Sequence, residues 1–121
     1  MTKIVLVEDH PIVRQGIARL IEREDDLTVC GEAEEAGRAL ELLDECRPDL
    51  AVVDLSLKES SGLELIKDLN IRMPDLLILV VSLHDERLYA ERVIRSGARG
   101  YVMKDEATER ILEAIRVVLG G

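Results

Sequence analysis

Residues 50–57 read LAVVDLSL, an apolar segment that contains a single charged residue, Asp54. The prediction of the fold starts from this segment and from the place of the charge within it. Asp54 ends an unbroken apolar segment of strand-forming residues, and mostly apolar residues follow it. Aspartate is depleted in β-strands and is almost never buried without a partner. Asp54 is therefore either a turn residue that closes a strand or a carboxylate held at the edge of a sheet for chemistry.

Four other short apolar segments recur along the chain at intervals of roughly 25 residues, which is the spacing expected of strands that alternate with helices. The five segments are residues 4–7, 27–30, 50–53, 77–81 and 101–103. The first, third and fourth are apolar throughout, without alternation between polar and apolar residues. Strands that are covered on both faces, as in a parallel sheet, have this pattern.

The intervals between these segments carry apolar residues at helical spacing. Pro11 suits the first position of one helix, and Gly97 suits a left-handed position that ends another. The predicted apolar helix faces are Val13, Ile17, Leu20 and Ile21; Ala36, Leu40 and Leu43; Leu63, Ile66 and Leu69; Leu88, Val93 and Ile94; and Ile111, Leu112, Ile115, Val118 and Leu119. We therefore predict a single α/β domain over residues 1–121, a (βα)5 fold with a doubly wound parallel five-stranded sheet.

The composition narrows the classes of function. A net charge of -9 disfavours direct nucleic-acid binding by this segment, because neutralising phosphates requires a basic face. Two Tyr and no Phe or Trp leave little aromatic surface for stacking bases or flavin rings. Cys30 and Cys46 lack the spacing of a zinc site or a disulfide framework, and Cys30 is expected to be a small buried thiol. Because the sequence has neither a transmembrane segment nor a signal peptide, we expect a cytoplasmic protein that does not bind a membrane.

Polar side chains follow four of the five predicted strands. In an open α/β sheet, ligands bind beyond the carboxyl ends of the strands. The residues found at those ends are Glu8 and Asp9 after the first strand, Asp54 after the third, Ser82 after the fourth and Lys104 after the fifth. Each has an ordinary explanation when taken alone: a turn aspartate, a loop hydroxyl or a solvated lysine. Their joint occurrence at one edge of a sheet favours a functional site.

The chemistry of this set is that of a metal-assisted phosphoryl site. Three neighbouring carboxylates repel one another unless a cation is present, and hard oxygen ligands suit Mg²⁺. Lys104 and Ser82 can contact phosphate oxygens as a point charge and a hydrogen-bond donor. Asp54 lies on the central segment, and a carboxylate beside a bound metal can accept a phosphoryl group. We therefore predict Asp54 as the acceptor.

Three segments that contain these residues resemble the receiver domain of bacterial two-component response regulators. They are IVLVEDHPIVRQGI (residues 4–17), PDLAVVDLSLKESSGLELI (residues 48–66) and LILVVSLHDERLYAERVIRSGARGYVMKD (residues 77–105). The phrases EDHPIVRQGI and GARGYVMKD are most similar to the NarL/FixJ-type subfamily, in which the receiver precedes a LuxR-type helix-turn-helix domain. The resemblance extends over the whole chain and implies the flavodoxin-like strand order 2-1-3-4-5.

The resemblance also implies a role for each acidic residue. Asp54 would take a phosphoryl group from a phosphohistidine on a sensor histidine kinase. Asp9 would bind Mg²⁺ directly and Glu8 would assist through water. The backbone carbonyl of Ser56 would complete the protein ligands together with Asp54.

Further residues would sense the phosphoryl group. Ser82 and Lys104 would contact it, and Tyr101 would change rotamer together with Ser82 in the active state. Ser56 and His84 fall at the two positions that tune the lifetime of the phosphorylated state in this family, although a solvated loop histidine is an equal explanation of His84.

Two positions depart from the common receiver pattern. Many receivers have Met-Pro three residues after the acceptor and Lys-Pro on the fifth strand, whereas this chain has Leu57-Lys58 and Lys104-Asp105. The loss of the second proline removes the usual reason for a cis peptide after Lys104. The NarL/FixJ-type group often has Lys-Asp there, and the role of Lys58 is left open.

The expected function is a phosphorylation-controlled switch that assists only its own phosphorylation and dephosphorylation. Phosphorylation of Asp54 would shift the face around the fourth helix and fifth strand and control dimerisation or an attached effector domain. We expect that DNA-binding domain to lie outside this chain, so that DNA is a partner only through it. Two alternatives remain at this point: a phosphohydrolase with an aspartate nucleophile, and a flavodoxin-like cofactor binder on the same fold.

Overall fold

A computed structural model describes residues 1–55, 62–82, 87–103 and 107–120, with the side chains of 87–89 and 107–109 outside the description. Strands and helices alternate strictly along the described chain. Their bounds are β1 Thr2–Val7, α1 Pro11–Glu22, β2 Leu27–Ala33, α2 Ala36–Cys46, β3 Leu50–Asp54, α3 Gly62–Arg72, β4 Leu77–Ser82, α4 Arg87–Arg95, β5 Gly100–Met103 and α5 Ala107–Gly120. The (βα)5 prediction is confirmed.

The strands form one parallel sheet in the order β2-β1-β3-β4-β5. This is the order 2-1-3-4-5 that the family resemblance implied. The order reverses beside β1, because β2 lies on one side of it and β3 on the other. β3 is central, and all five of its residues are buried. The apolar segment that precedes Asp54 is therefore a strand covered on both faces.

Two hydrophobic clusters cover the two faces of the sheet. On one face, Ile17 and Ile21 of α1 pack with Ile111 and Ile115 of α5. On the other, α2, α3 and α4 contribute apolar side chains that include Leu42, Leu65, Ile66, Leu69 and Val93. The side chain of Leu88, predicted for the face of α4, lies outside the description. The described residues of the predicted helix faces supply both cores, with one difference in α4. Ile94 is 49% exposed and lies outside the core, because its neighbour Val93 occupies the position that faces the sheet.

The helix ends follow the sequence signals. Pro11 occupies the first turn of α1, and Gly97 follows α4 with a φ of 117°. α2 ends differently, because its C-cap is a residue other than glycine in the left-handed conformation. This residue is Arg47, which precedes Pro48 and whose N–H donates to the Leu43 carbonyl. None of the helices in the described ranges is both long and apolar enough to cross a membrane.

The two cysteines, which are far apart in sequence, lie side by side. The Cys46 thiol donates to the Cys30 carbonyl over 3.0 Å, and both residues are partly buried and free of disulfides. Cys30 is the extra residue of an irregularity in β2, because Ile4 pairs with Val29 and Val5 with Gly31. Burial and the adjacent Cys46 raise the pKa of the Cys30 thiol to about 12, so that it stays protonated at neutral pH.

Candidate functional site

The ends of β1, β3 and β4 carry the polar groups that the sequence predicted for this edge of the sheet. Glu8 directly follows β1 and is 4% exposed. Asp54 and Ser82 are the last residues of β3 and β4, rather than the first residues beyond them, and are 2% and 0% exposed. Buried polar residues at three strand ends confirm that the carboxyl edge of the sheet is chemically distinct from its core.

The carboxylates form a compact cluster. One ligand atom from each of Glu8, Asp9, His10 and Asp54 lies within 4.8 Å of the corresponding atoms of the other three. The side chains of Glu8 and Asp9 are 5% and 6% exposed. The structure thus brings together the three carboxylates that the sequence selected, and it adds a histidine to them.

Backbone hydrogen bonds hold the residues that carry these carboxylates. The Glu8 N–H donates to the Ala33 carbonyl at the end of β2 over 2.9 Å. The Leu55 N–H donates to the Val81 carbonyl of β4 over 3.0 Å, directly after Asp54. Glu8 is therefore anchored to β2, and the chain directly after Asp54 is anchored to β4, so that less backbone entropy is lost when these carboxylates gather around a ligand.

Arg14 of α1 supports the same turn from outside the sheet. Its Nη1 donates to the Glu8 carbonyl over 3.0 Å, and its Nε donates to Glu32 Oε1 over 3.2 Å. A second carboxylate, that of Glu34, lies 3.4 Å from Nη1. Sequence analysis did not select Arg14, although it lies on the first turns of the helix that follows Glu8-Asp9.

His10 is the second residue that sequence analysis missed. It precedes α1, its side chain is 51% exposed, and its Nδ1 lies 3.1 Å from Asp9 Oδ1 and 3.6 Å from Glu8 Oε2. Its backbone N–H also points to Glu8 Oε2 at 3.4 Å. The available signal was its position directly after two acidic residues at a strand end.

The donor set fits a hard divalent cation. Three carboxylates with little access to solvent repel one another, and a bound cation offsets that repulsion. Oxygen ligands with room for water suit Mg²⁺. The acidic cluster at the sheet edge thus has the side-chain chemistry that a hard divalent cation requires.

Several predicted residues lie outside the described ranges: Ser56, Lys58, His84, Lys104 and Asp105. Their expected roles, and the peptide after Lys104, stay predictions. Tyr101 is described: it is half-buried on β5, pairs in register with Val80 and packs against the core cluster formed with α2, α3 and α4.

Comparison with known proteins identifies the family. Residues 4–116 match the model of the response regulator receiver domain. Transcriptional regulatory protein DegU of Brevibacillus brevis is 34% identical over 98% of this chain and 50% of its own length. DNA-binding transcriptional activator DevR/DosR of Mycobacterium tuberculosis is 37% identical over 100% of this chain and 56% of its own length. A LuxR-family two-component response regulator from Aurantimonas sp. SI85-9A1 superposes with a TM-score of 0.93 at 38% identity, covering 100% of this chain and 87% of that one.

The doubly wound sheet, the acidic edge and these matches define a receiver domain, the phosphorylation-controlled signalling domain of two-component systems. The chain belongs to the response regulator receiver family, as the sequence resemblance indicated. The proteins that it resembles include transcriptional regulators and a LuxR-family response regulator. The chain spans about half the length of the curated relatives that it matches. The phosphohydrolase and cofactor-binding alternatives receive no support from the comparisons.

Proposed function

We propose that Asp54 is the residue that accepts the phosphoryl group in this receiver domain. The observation that carries the proposal is its carboxylate, which is 2% exposed at the end of the central strand and clustered with Glu8 and Asp9. Three carboxylates gathered where water has little access repel one another unless a cation is present, so a structural role alone does not explain the arrangement. Attack of a carboxylate oxygen on the phosphorus of a donor would form the acyl phosphate and release the donor's leaving group.

Mg²⁺ is the cation that the donor set fits best. Asp9 and Asp54 would hold it directly, Glu8 would act through water, and the Ser56 carbonyl would add a ligand. When bound, the ion would neutralise charge on the phosphoryl oxygens. The protein's own contribution is to hold three carboxylates in a fixed arrangement before the ion arrives.

Ser82, Lys104 and Tyr101 would convert phosphorylation into a change of shape. A dianionic group on Asp54 offers the Ser82 hydroxyl and the Lys104 ammonium a new partner. Ser82 is fully buried at the end of β4, next to β5, the strand that carries Tyr101. Movement of Ser82 would favour one of two arrangements of the α4–β5 face. Ser56 and His84 would set how long the phosphorylated state lasts.

The partners follow from the family and the names of relatives. A sensor histidine kinase would supply the phosphoryl group, in the cytoplasm. In a longer chain, a helix-turn-helix domain would bind DNA, in keeping with the DNA-binding activator among the relatives. A homodimer that forms on phosphorylation would couple the receiver to that domain.

The test is labelling with a small phosphoryl donor. Wild-type protein, Asp54→Asn and Asp44→Asn are treated with acetyl phosphate and Mg²⁺, and the bound phosphoryl group is counted by intact-protein mass spectrometry. Asp44 lies exposed on α2, so its substitution removes the same charge away from the site. We expect one phosphoryl group on wild type and on Asp44→Asn, and none on Asp54→Asn.

Labelling of Asp54→Asn at wild-type stoichiometry would show that the acceptor is assigned wrongly. Sedimentation of the same samples, with beryllofluoride as a stable phosphoryl mimic, tests the dimer. An unchanged monomer in both states would contradict phosphorylation-driven dimerisation while leaving the acceptor assignment intact.

A further inference from the structure

His10 lies in the cluster with Glu8, Asp9 and Asp54, but the proposed phosphorylation chemistry gives it no role. Its side chain makes no capping hydrogen bond to α1, although it occupies the N-cap position. Instead its Nδ1 lies 3.1 Å from Asp9 Oδ1, over two carboxylates that are almost fully buried. The imidazole itself is 51% exposed, whereas the Asp9 side chain beside it is only 6% exposed.

The spacing of these atoms matches ligands of one ion. Two adjacent ligands of an octahedral ion with bonds of about 2.1 Å are separated by about 3 Å, and opposite ligands by about 4.2 Å. Nδ1 and Asp9 Oδ1 are 3.1 Å apart, and all four donor atoms lie within 4.8 Å of one another. An ion at this site thus reaches Nδ1 with only small adjustments of the side chains.

An imidazole changes which metal such a site prefers. Mg²⁺ takes oxygen ligands almost exclusively, whereas Mn²⁺, Ni²⁺, Cu²⁺ and Zn²⁺ also accept imidazole nitrogen. The benefit rises from Mn²⁺ through Ni²⁺ to Cu²⁺ and is smaller again for Zn²⁺. A neutral imidazole that binds through Nδ1 keeps its proton on Nε2, so no change in net charge is required.

We propose that His10 is a fourth protein ligand of the cation site and biases it toward first-row transition-metal ions relative to an all-oxygen site. The inference rests on the proposed function, because it assumes that the acidic cluster binds the cation used in phosphorylation. It adds a metal specificity that the Mg²⁺ assignment does not contain.

A competing explanation is that His10 only donates a hydrogen bond to Asp9 and so positions that carboxylate. The two explanations differ for His10→Asn, because an amide keeps a donor at this position but is a poor ligand for Ni²⁺. A positioning role predicts wild-type metal preference in His10→Asn, whereas direct ligation predicts that its preference matches that of His10→Ala.

The experiment measures the dissociation constants of Ni²⁺ and Mg²⁺ by calorimetry on untagged protein. The variants are His10→Ala, His10→Asn and His84→Ala, the last of which removes the only other histidine of the chain. We expect Ni²⁺ binding to weaken about tenfold or more in both His10 variants, while Mg²⁺ binding changes by less than about threefold. His84→Ala should keep the wild-type ratio of the Ni²⁺ and Mg²⁺ dissociation constants. Bound Cu²⁺ should show nitrogen hyperfine coupling in wild type that is lost in His10→Ala.

Three results would each overturn the proposal. The first is that the His10 variants lose affinity for Ni²⁺ and Mg²⁺ equally, and the second is that His10→Asn keeps the wild-type preference for Ni²⁺. The third is that His84→Ala loses this preference as fully as His10→Ala does. Phosphoryl labelling with Mg²⁺ separates this failure from failure of the proposed function. If wild type is labelled on Asp54 but its metal preference does not depend on His10, only the further inference fails. If wild type binds neither metal and is not labelled, both fail.

Discussion

At the scale of single residues, the site concentrates negative charge where water has little access. Glu8 and Asp54 are almost fully buried, and Asp9 belongs to the same cluster. Such an arrangement is unfavourable for the metal-free protein, because like charges repel strongly where water does not screen them. The proposed role of Asp54 and the stability of the metal-free domain therefore make opposite demands on this side chain.

Asp54→Asn should stabilise the metal-free domain, because it removes one of the repelling charges without changing the side-chain volume. We expect the free energy of unfolding in the presence of a chelator to rise by about 1 kcal/mol. Added Mg²⁺ should stabilise wild type by about 2.7 kcal/mol at a hundredfold excess over the dissociation constant, and the variant by less. Chemical denaturation with and without Mg²⁺ measures both effects.

The charge-matched control is Asp44→Asn on the exposed surface of α2, which should leave the response to Mg²⁺ as in wild type. Destabilisation of the metal-free protein by Asp54→Asn would contradict the repulsion argument. An undiminished response of Asp54→Asn to Mg²⁺ would show that its carboxylate is not part of the cation site.

The sequence was sufficient to select Glu8, Asp9, Asp54 and Ser82, because parallel strands bring their carboxyl ends to one edge whatever the details of packing. It was not sufficient for His10 and Arg14. Their side chains come from the start of α1, and the direction in which they point depends on how that helix packs against the sheet. Apolar periodicity does not report the orientation of polar side chains on the opposite side of a helix.

At the scale of secondary-structure elements, the start of α3 is packed against the end of β3. A Cβ added to Gly62 would lie 2.5 Å from the Leu55 carbonyl oxygen and 2.6 Å from its Cα. These are backbone atoms of the residue after Asp54, so they cannot move aside without displacing Asp54 as well. Gly62 is the first residue of α3, and the sequence did not reveal this contact.

Gly62→Ala should therefore destabilise the domain, although alanine is the better helix former. Helix propensity favours alanine by about 1 kcal/mol, whereas overpacking against backbone costs about 1–3 kcal/mol. The matched control is Gly16→Ala in α1, where nothing lies within 4 Å of the added Cβ. We expect this control to stabilise the domain by up to about 1 kcal/mol.

Denaturant unfolding of the two variants measures the contrast, and labelling with acetyl phosphate shows whether Gly62→Ala also disturbs Asp54. Two stabilising substitutions would mean that the chain at residue 62 has room that the structure does not show.

The boundaries of other elements were predicted less well than their existence. β2, for example, extends to Ala33 rather than ending at Cys30, because pairing with β1 continues through residues that are not apolar.

At the scale of the whole molecule, Arg116 of α5 joins the last helix to the turn between α1 and β2. Its Nη2 lies 3.0 Å from Glu24 Oε1 and 2.8 Å from Asp26 Oδ1. The Arg116 guanidinium, mainly through hydrogen bonding, holds the pKa of Asp26 below its ordinary value of 3.8. This contact links residues 90 positions apart and closes the side of the fold where α1 and α5 pack together.

Arg116→Ala should destabilise the domain at neutral pH, and the difference from wild type should shrink in acid. Because the pKa of Asp26 is lowered in the folded state, its contribution to stability is complete above pH 3.8 and is lost as the pH falls through the lowered pKa. The effect is small and screened by salt, because the groups are exposed. Unfolding free energies from pH 7 downward, at low and high salt, measure it.

Arg38→Ala is the matched control for this contact. Arg38 is 44% exposed and Arg116 is 41% exposed, but Arg38 pairs with Glu41 and Glu45 of its own helix. The control should therefore have the smaller effect on global unfolding, because its partners stay close to it without the tertiary fold. Equal effects of the two substitutions would contradict the role of Arg116 in joining distant parts of the chain.

The sequence by itself determined the alternation of strands and helices, the coverage of the sheet on both faces and the acidic carboxyl edge that contains Asp54. These features depend on the local periodicity of apolar residues and on the order of the elements along the chain. Both can be read directly from the sequence. Only the tertiary structure decided that His10 joins the acidic cluster and that Arg14 contacts the Glu8 carbonyl. It also decided that Gly62 packs against Leu55 and that Arg116 reaches Asp26. Each of those contacts depends on how separate elements pack, and packing is settled by the fit of many side chains at once rather than by any short segment.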